Sequence, residues 1–377
     1  MTRDRTLMAV AFAVTALGVS SVSLLAPVLP ELADRYQVGV QQLAYFQMAV
    51  MLPGIVTGVL AARLARALGK RFALVACLAV FGAAGVSLVL VTSFPLAVAL
   101  RLVQGVGGGG LVALSFLLAG SVAPERRVRA VGYNAAVVSI TMVLAPLVGS
   151  TLGGYSSLAP FAWYGLALPA AVVVWRVLPG AAASATPEAT PTASPASRRA
   201  PSAEVVGILA MTVALNVLVF GWFLLLTPLL LDANGVDLTW RGWALAVQSA
   251  LATVATFATG RWRARERYAV LMTLGWGIGF VFVAGAGLAP GGLGIAALIG
   301  AGICYGILNP VLAARIAVVD RGHWFGWWQS CARTGQVLGP VVAGWLIVGL
   351  PISAVFVVGG TLSAVVAVVV AVRAVRR

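Results

Sequence analysis

The chain has 377 residues, of which 61% are hydrophobic and 9% charged, and its mean hydropathy is +1.02. A soluble domain carries about 25% charged residues, so this composition excludes an ordinary soluble protein. The formal net charge of +15 would suit a nucleic-acid partner. However, the basic residues lie in short clusters between apolar runs of about 20 residues, the length that crosses a bilayer, so we predict a membrane protein and exclude nucleic acid as its partner.

Taken in chain order, twelve apolar runs predict twelve transmembrane helices. Backbone polar groups cannot remain unpaired in lipid, and the alternating pattern of barrel strands does not occur, so we expect each run to be helical. The predicted spans are residues 7–30, 42–62, 72–92, 95–121, 131–153, 160–178, 204–231, 242–260, 269–289, 293–317, 327–349 and 352–372.

The positions of the basic residues predict the topology. Connections rich in Arg and Lys stay on the cytoplasmic side of a membrane. The termini and the even-numbered connections carry Arg3, Arg5, Arg63, Arg66, Lys70, Arg71, Arg126, Arg127, Arg129, Arg198, Arg199, Arg261, Arg263, Arg265, Arg267, Arg321, Arg373, Arg376 and Arg377. The odd-numbered connections carry only Arg35 and Arg241. We therefore predict a multi-pass protein of the cell (inner) membrane with both termini in the cytoplasm.

The composition changes between the sixth and seventh spans, where Ala, Ser, Thr and Pro dominate, as is typical of a flexible linker. Short segments repeat in the same order on both sides of it, such as Val143–Pro146 and Val337–Pro340. We predict a six-helix bundle at 1–178, a cytoplasmic linker at 179–203 and a second six-helix bundle at 204–377. Parallel repeats of this kind leave a substrate site between them near the membrane midplane.

The fourth span contains Arg101-Leu102-Val103-Gln104-Gly105-Val106-Gly107. This segment resembles the R-x-x-Q-G-x-G signature of the major facilitator superfamily, and the resemblance extends over nearly the whole chain. It implies an all-α fold of two pseudo-symmetric six-helix bundles and links Arg101 and Gln104 to proton coupling and gating. Exposing a guanidinium to lipid costs several kcal/mol, so Arg101 must face protein or water. The alternative is a structural arginine bonded to helix-end carbonyls and polar side chains.

The fifth span resembles a second motif, the G-x8-G-x3-G-P-x2-G-G pattern of drug–proton antiporters, and this resemblance implies export. Gly132, Pro146 and Gly149 match it, and the small residues Thr141, Ala145 and Ser150 replace three of its glycines. Small residues let helices approach closely, and proline kinks a helix. Further residues of this packing and kink group are Gly105, Gly335, Gly339, Pro340 and Gly344. The alternative is that these residues only allow tight packing.

The connection between the second and third spans departs from the family. Its best match to G-x-L-A-D-R-x-G-R-R ends in Gly69-Lys70-Arg71, but Arg66 occupies the aspartate position. The missing acid puts the family's usual cytoplasmic latch in doubt. Arg127 lies in the next cytoplasmic segment, where Glu125 offers a substitute charge.

No acidic residue lies in the middle of a predicted span. Glu31 and Asp232 come nearest, at corresponding outer ends of the first and seventh spans. Burial favours the protonated form of a carboxyl group, whereas a nearby arginine favours its ionised form. Glu31 beside Arg101 would therefore make a gated proton site; the alternative is that both acids are solvated charges at helix ends.

Uncharged polar and aromatic side chains inside the spans are the candidate substrate ligands. They are Ser20, Ser23, Gln47, Asn134, Asn216, Trp222, Gln248, Tyr305, Asn309, Trp328 and Gln329. Such walls suit neutral or weakly anionic amphiphiles. Alternatively, any of these groups forms a hydrogen bond between helices.

These features predict a monomeric secondary transporter that exports small molecules in exchange for protons, without cofactor or metal. The alternatives are an uncoupled facilitator or importer and, from a different class, a transport-inactive membrane sensor. A membrane-embedded enzyme would need clustered His, Asp, Glu or Cys within its spans to bind a metal or do acid–base chemistry. The chain has one histidine and no acid in the middle of a predicted span, so an enzyme is not expected. The G-x-x-x-x-G-K-[ST] loop of ATP-driven pumps does not occur.

Overall fold

The computed structural model describes residues 2–178, 201–260, 264–289, 292–319 and 324–375. All regular secondary structure in these residues is helical. Within them, eleven helical segments are long and apolar enough to cross a membrane, which confirms an all-α membrane protein. The predicted features that lie outside the described residues are linker positions 179–200, with Arg198 and Arg199, and the basic residues Arg261, Arg263, Arg321, Arg376 and Arg377.

The chain divides into two compact units, Met1–Pro187 and Glu188–Arg377. Three 3₁₀ turns in the first unit, at Ala26–Val28, Leu88–Leu90 and Trp163–Leu166, join or extend its helices. Those helices are α1 (Thr2–Ser23), α2 (Leu29–Tyr36), α3 (Val40–Met51), α4 (Gly54–Leu68), α5 (Lys70–Ser87), α6 (Phe94–Ala119), α7 (Pro124–Gly153), α8 (Ala159–Ala162) and α9 (Ala167–Val177).

A π-helix at Leu218–Leu226 joins the first two helices of the second unit, so the seventh predicted span is continuous but irregular. π-Helical turns of this kind recur at functional sites. The helices are α10 (Ala203–Val217), α11 (Thr227–Ala233), α12 (Leu238–Gly260), α13 (Ala264–Leu288), α14 (Gly292–Val318), α15 (Phe325–Gly349) and α16 (Ile352–Val375).

The second predicted span, 42–62, is not one helix. Leu52 and Pro53 form a turn that separates α3 from α4. Proline has no backbone N–H and its ring crowds the preceding helical turn, so the helix breaks there. This break explains why eleven rather than twelve long apolar helices are found among the described residues.

In the first unit, α6 is the central helix, packed against α1, α3, α4 and α5, while α1 also packs against α7 and α5 against α9. Glycines in α6 make this possible. A Cβ atom at Gly107 would lie 2.6 Å from the Cys77 carbonyl oxygen of α5, and one at Gly109 would lie 2.6 Å from Gly54 Cα of α4. Side chains at these positions would push the neighbouring backbones apart.

The second unit repeats this pairing. Helix α14 packs against α10, α12 and α13, the α10 and π-helical segments pack against α15, and α13 packs against α16. Seven helices of the first unit thus have counterparts: α10 for α1, α12 for α3 and α4, α13 for α5, α14 for α6, α15 for α7 and α16 for α9. The repeated packing agrees with the repeated sequence segments.

Candidate functional site

Arg101 is fully buried in the first unit, with an exposed fraction of 0%. It follows the start of α6 at Phe94 by seven residues, roughly 10 Å along the helix axis. One of its terminal nitrogens donates to Gln104 Oε1 at 2.8 Å. The other donates to the Ser21 carbonyl oxygen of α1 at 3.0 Å and to Gln47 Oε1 of α3 at 3.3 Å. The guanidinium therefore ties three helices together.

Aromatic rings enclose this arginine. Arg101 Cζ lies 4.9 Å from the centre of the Phe46 ring, within cation–π range. Tyr164 donates its hydroxyl hydrogen to the Ser21 carbonyl oxygen, the acceptor it shares with Arg101, at 3.4 Å. Phe81 packs edge-on against Tyr164, with ring centres 5.5 Å apart. The rings and shared acceptor keep the guanidinium away from solvent and lipid.

The charge of Arg101 is balanced without a carboxylate. Among the described residues, its partners are neutral oxygens and the Phe46 ring, and its Nε has no hydrogen-bond partner. Burying an ion costs free energy that only good ligands offset. Arginine stays protonated in proteins, so this group acts as a fixed positive charge and neither releases nor accepts a transported proton.

The second unit has a corresponding position with different side chains. A Cβ atom at Gly105 would overlap the Val50 carbonyl oxygen of α3, and one at Gly306 would overlap the Ala252 carbonyl oxygen of α12. These two glycines therefore occupy the same packing position, 201 residues apart (306 minus 105). The same offset relates Gln47 to Gln248.

At this offset, Gly302 takes the place of Arg101 and Tyr305 that of Gln104. A Cβ atom at Gly302 would lie 2.6 Å from Gln248 Cγ, so the Gln248 side chain fills the space. The Tyr305 ring lies 5.5 Å from the rings of both Phe223 and Trp276, and its hydroxyl bonds to Ser363. The second unit thus has an uncharged aromatic cluster where the first has a buried cation.

The two predicted acids have different surroundings. Asp232, at the end of α11, forms an ion pair of 3.3 Å with Arg241 of α12, and the exposed fractions of the two side chains are 49% and 4%. Glu31 is half-buried in α2. The hydrogen bonds of Arg101 to Ser21, Gln47 and Gln104 do not involve Glu31, so the pairing of Glu31 with Arg101 stays a prediction.

Most of the predicted cavity residues form hydrogen bonds within their own unit. Ser20 accepts from Trp163 Nε1, and Asn134 accepts from Thr15 and donates to Ser115. In the second unit, the residues with such bonds are Asn216 (to Gln336 and Thr212), Trp222 (to the Val355 carbonyl), Gln248 (to the Leu298 carbonyl) and Tyr305.

The remaining cavity candidates differ in exposure. Ser23 and Trp328 are buried, and Ser23 Oγ has no hydrogen-bond partner among the described residues. Asn309 of α14 and Gln329 of α15 are exposed on the second unit. In this conformation only the last two are available to a ligand without movement of other groups.

The predicted packing residues lie mainly at helix–helix contacts. A Cβ atom at Gly149 of α7 would overlap the Leu24 carbonyl oxygen, and one at Gly339 of α15 would lie 2.7 Å from the Val217 carbonyl oxygen. Gly335 likewise faces the Val213 carbonyl oxygen at 2.6 Å. Pro146 and Pro340 lie inside these two helices, Gly344 is buried, and Gly132 faces open space.

The predicted loop residues form contacts of their own. Gly69 separates α4 from α5 with φ of 90°, a backbone conformation that favours glycine. Lys70 Nζ bonds to Ser121 Oγ at 2.5 Å, and Arg71 Cζ lies 3.8 Å from the Trp175 ring. The structure also places Arg127 on the surface at the start of α7. Beside it, Arg126 forms an ion pair with Asp4 at 3.7 Å.

Sequence reasoning missed two features. Arg333 lies inside the eleventh predicted span, and its Nη1 donates to Gln336 Oε1 at 3.2 Å. Glu204 and Arg315 form an ion pair of 2.5 Å in the second unit. Arg333 could have been found, because an arginine six residues inside an apolar run is a signal in itself. The ion pair could not, because its partners are 111 residues apart.

Comparison with known proteins gives matches to one family of membrane proteins. A family model described as the Major Facilitator Superfamily matches residues 9–317 and also 209–377. The chain is similar to a chloramphenicol resistance protein of Streptomyces lividans, with 28% identity over 270 residues that cover 70% of this chain and 68% of that protein.

Solved structures share the fold at low identity. A bacterial homologue of the human lysosomal transporter Spinster, in an inward-facing unoccupied conformation, has a TM-score of 0.78 at 13% identity and covers 98% of this chain and 95% of its own. The nucleoside transporter NupG has a TM-score of 0.79 at 12% identity, covering 98% and 99%. The xylose transporter XylE from E. coli has a TM-score of 0.72 at 14% identity, and the match covers 97% of this chain and 95% of XylE.

Proposed function

Because the chain belongs to the Major Facilitator Superfamily, a family of membrane transporters, we propose that it is a proton-coupled exporter. Its substrates are small neutral or weakly anionic amphiphilic molecules, and it exposes them to each side of the membrane in turn by alternating access. It performs no chemistry on them. The matched region, residues 9–317, covers most of both units, so the proposal concerns the whole chain and not one domain of it.

One observation carries the proposal: the permanent cation of Arg101 is sealed inside the first unit by neutral ligands. Two of those ligands belong to other helices, Ser21 to α1 and Gln47 to α3. Any movement of α1 or α3 against α6 therefore changes the solvation of a buried charge. The free energy of the unit then depends both on helix position and on charges brought near the site. Coupling between proton binding and helix movement requires this dependence.

We assign proton binding to Asp232, with Glu31 as its counterpart in the first unit. Asp232 is half-exposed, so water can deliver a proton, whereas its partner Arg241 is buried. Protonation removes the carboxylate charge and weakens the ion pair between α11 and α12. Proton binding would therefore favour a rearrangement at these helix ends.

The substrate class follows from the charges in the spans. Among the described residues no carboxylate lies in the middle of a span, so a multiply cationic drug would find no counter-ion there. Exposed amide groups at Asn309 and Gln329 and the apolar surroundings suit an amphiphile. The similarity to a chloramphenicol resistance protein supports export.

The proposed location is the cell (inner) membrane, with both termini in the cytoplasm, and the proposed active form is a monomer. Support for the orientation comes from the clusters of Arg and Lys at the even-numbered connections. The large difference in charge between the two sets of connections would hold the topology in one direction.

Transport in reconstituted vesicles tests the function. We expect an imposed pH gradient to drive accumulation of radiolabelled chloramphenicol or another member of a panel of neutral and anionic amphiphiles. Arg101→Ala should reduce this flux to the level of empty vesicles while the protein still inserts and elutes as a folded monomer. Arg176→Ala, which removes an exposed arginine from the last turn of α9, is the matched control and should transport normally.

The same assay distinguishes the alternatives. Flux that persists after a protonophore collapses the gradient would identify an uncoupled facilitator, and accumulation in the opposite direction would identify an importer. No flux of any panel member would favour a transport-inactive sensor. Gradient-driven flux that is normal in Arg101→Ala would remove Arg101 from the mechanism.

A further inference from the structure

Arg333 is an exposed arginine deep in a transmembrane helix. It is the eighth residue of the apolar segment Gly326–Gly349, roughly 10 Å along the helix from Gly326. Its side chain lies on the surface of the second unit, in contrast to Arg101, which is sealed in the first. An arginine at this depth is rare because lipid exposure of its charge costs several kcal/mol.

Arginines near a membrane surface often extend their side chains toward the headgroups. Arg333 does not do this. Its Nη1 donates to Gln336 Oε1 at 3.2 Å, one helical turn farther from the Phe325 end of α15. Gln336 in turn donates to Asn216 Oδ1 of α10 at 3.3 Å, and Asn216 donates to the Thr212 carbonyl oxygen at 2.9 Å. This chain of amides holds the guanidinium at depth.

The charge of Arg333 has no counter-ion among the described residues, and its one bonded acceptor there is the neutral Gln336. Two other arginines in helices of the second unit have carboxylate partners: Arg241 pairs with Asp232 and Arg315 with Glu204. Arg101 lacks a carboxylate, but three neutral oxygens and a ring surround it. Arg333 thus combines charge, depth, exposure and unused donor capacity.

The surface of α15 next to Arg333 is polar. Ser330 and Thr334, on either side of Arg333 in sequence, are exposed, and so is Gln329, one helical turn before it. A ligand whose anionic group bound Arg333 would therefore also meet hydroxyl and amide groups.

We propose that Arg333 binds the anionic group of a monoanionic amphiphilic substrate, such as a carboxylate or sulfonate, and that Gln336 and Asn216 position its guanidinium. A planar guanidinium can form two parallel hydrogen bonds to such a group. The inference rests on the proposed transport function and narrows its substrate class: the anionic form of a compound is preferred over a neutral form of the same shape.

Equilibrium binding without any gradient tests this site separately from coupling. The protein is placed in phosphatidylcholine nanodiscs, and binding is followed by fluorescence of dansylglycine, a monoanion at pH 7, and of its neutral amide. We expect wild type to prefer dansylglycine by about tenfold, the effect of one charge-assisted hydrogen-bonded contact. Arg333→Gln should remove this preference and leave affinity for the amide unchanged.

Two variants and one lipid control complete the test. Arg333→Lys keeps the charge without the planar fork and should retain part of the preference. Arg176→Gln, which removes the same charge elsewhere, should bind both probes as wild type does. Equal binding of both probes by wild type, absence of binding by either, or an unchanged preference in Arg333→Gln would each overturn the proposal.

A lipid headgroup offers the same anionic chemistry. If replacing phosphatidylcholine by phosphatidylglycerol abolished dansylglycine binding to wild type, the site would belong to lipid and the substrate proposal would be overturned. Failure of the proposed function looks different: gradient-driven flux would be absent while the Arg333-dependent preference for the anion persisted.

Discussion

The two units place different chemistry at the same position of one helix arrangement. In the first, α6 carries Arg101, which gathers Ser21, Gln47 and Gln104 around a buried charge. In the second, α14 carries Gly302 at that position, and Gln248 fills the space with an uncharged amide. The glycines beside these sites pack in the same way in both units.

This difference separates what the scaffold needs from what the function needs. A close approach between the first and fifth spans of a unit requires glycine, and both units have one at that contact. These glycines are Gly149 in α7 and Gly339 in α15, although the sequence repeat pairs Gly339 with Ala145. The buried cation is not required for packing, because the second unit folds the same helices around aromatic rings. We therefore expect packing variants to behave alike in the two units and polar variants to behave differently.

The largest expected effect concerns the close contact between the first and fifth spans of each unit. In Gly149→Ala the new Cβ would overlap the Leu24 carbonyl oxygen, so α7 and α1 must separate. We expect destabilisation by more than about 3 kcal/mol, seen as loss of folded protein or a large fall in the thermal midpoint in detergent. Gly339→Ala should act in the same direction, but less strongly, because its Cβ would remain 2.7 Å from the Val217 carbonyl oxygen.

Gly132→Ala is the control within the same helix as Gly149. A Cβ at Gly132 would meet nothing within 4 Å, so its thermal midpoint should match that of wild type. Equal stability of Gly149→Ala and Gly132→Ala would show that α7 is not in close contact with the end of α1. The claim that both units need glycine at this contact would then be wrong.

The second prediction concerns the corresponding glutamines. Gln47→Leu takes an acceptor from the buried guanidinium of Arg101, and we expect a cost of about 2 kcal/mol because a charged donor loses a partner. Gln248→Leu removes only a neutral bond to the Leu298 carbonyl oxygen and should cost about 1 kcal/mol or less. Thermal unfolding of both variants in the same detergent measures the difference.

The asymmetry between the units depends on this result. Equal losses would mean that Arg101 gains little from Gln47, and a larger loss in Gln248→Leu would reverse the assignment of the polar site to the first unit. Gradient-driven flux should also fall in Gln47→Leu and not in Gln248→Leu, because only the former changes the surroundings of Arg101.

The smallest expected effect concerns the ion pairs at the start of each unit. Glu204 binds Arg315 at 2.5 Å with both side chains about one-fifth exposed, whereas Asp4 lies 3.7 Å from an Arg126 side chain that is 55% exposed. Glu204→Gln should cost roughly 1 kcal/mol, and Asp4→Asn should cause no measurable change. The difference should shrink in high salt if it is electrostatic; a larger loss in Asp4→Asn would contradict the structure.

Much of the fold could be predicted from local sequence. Each predicted apolar run is helical in the structure, because the backbone N–H and C=O groups of a chain in lipid must form hydrogen bonds within the chain. The break at Leu52 and Pro53 was missed although proline signals it, and the π-helix at Leu218–Leu226 left no mark on hydropathy. Both features change the backbone hydrogen-bond pattern within a span, and a count of apolar residues does not detect such a change.

The candidate site was predictable only in part. Arg101, Gln104 and Gln47 were each identified in the sequence as polar residues within spans, but the hydrogen bonds that join them were not predicted. Hydrogen-bond partners depend on the rotation and axial register of neighbouring helices. The rotation and register are set by glycine packing, such as that of Gly105 against the Val50 backbone, 55 positions away in sequence (105 minus 50). The residue pattern of a single span does not encode such a contact.

The sequence by itself determined that this protein is a helical membrane protein with a repeated arrangement and an arginine that lipid could not accept. Hydropathy, charge and spacing are local properties, and the bilayer converts them directly into helices. Only the tertiary structure decided that neutral oxygens from three helices enclose Arg101, that Asp232 pairs with Arg241, and that Arg333 remains exposed. Those outcomes depend on which helix faces meet, because a buried charge takes the nearest available ligands.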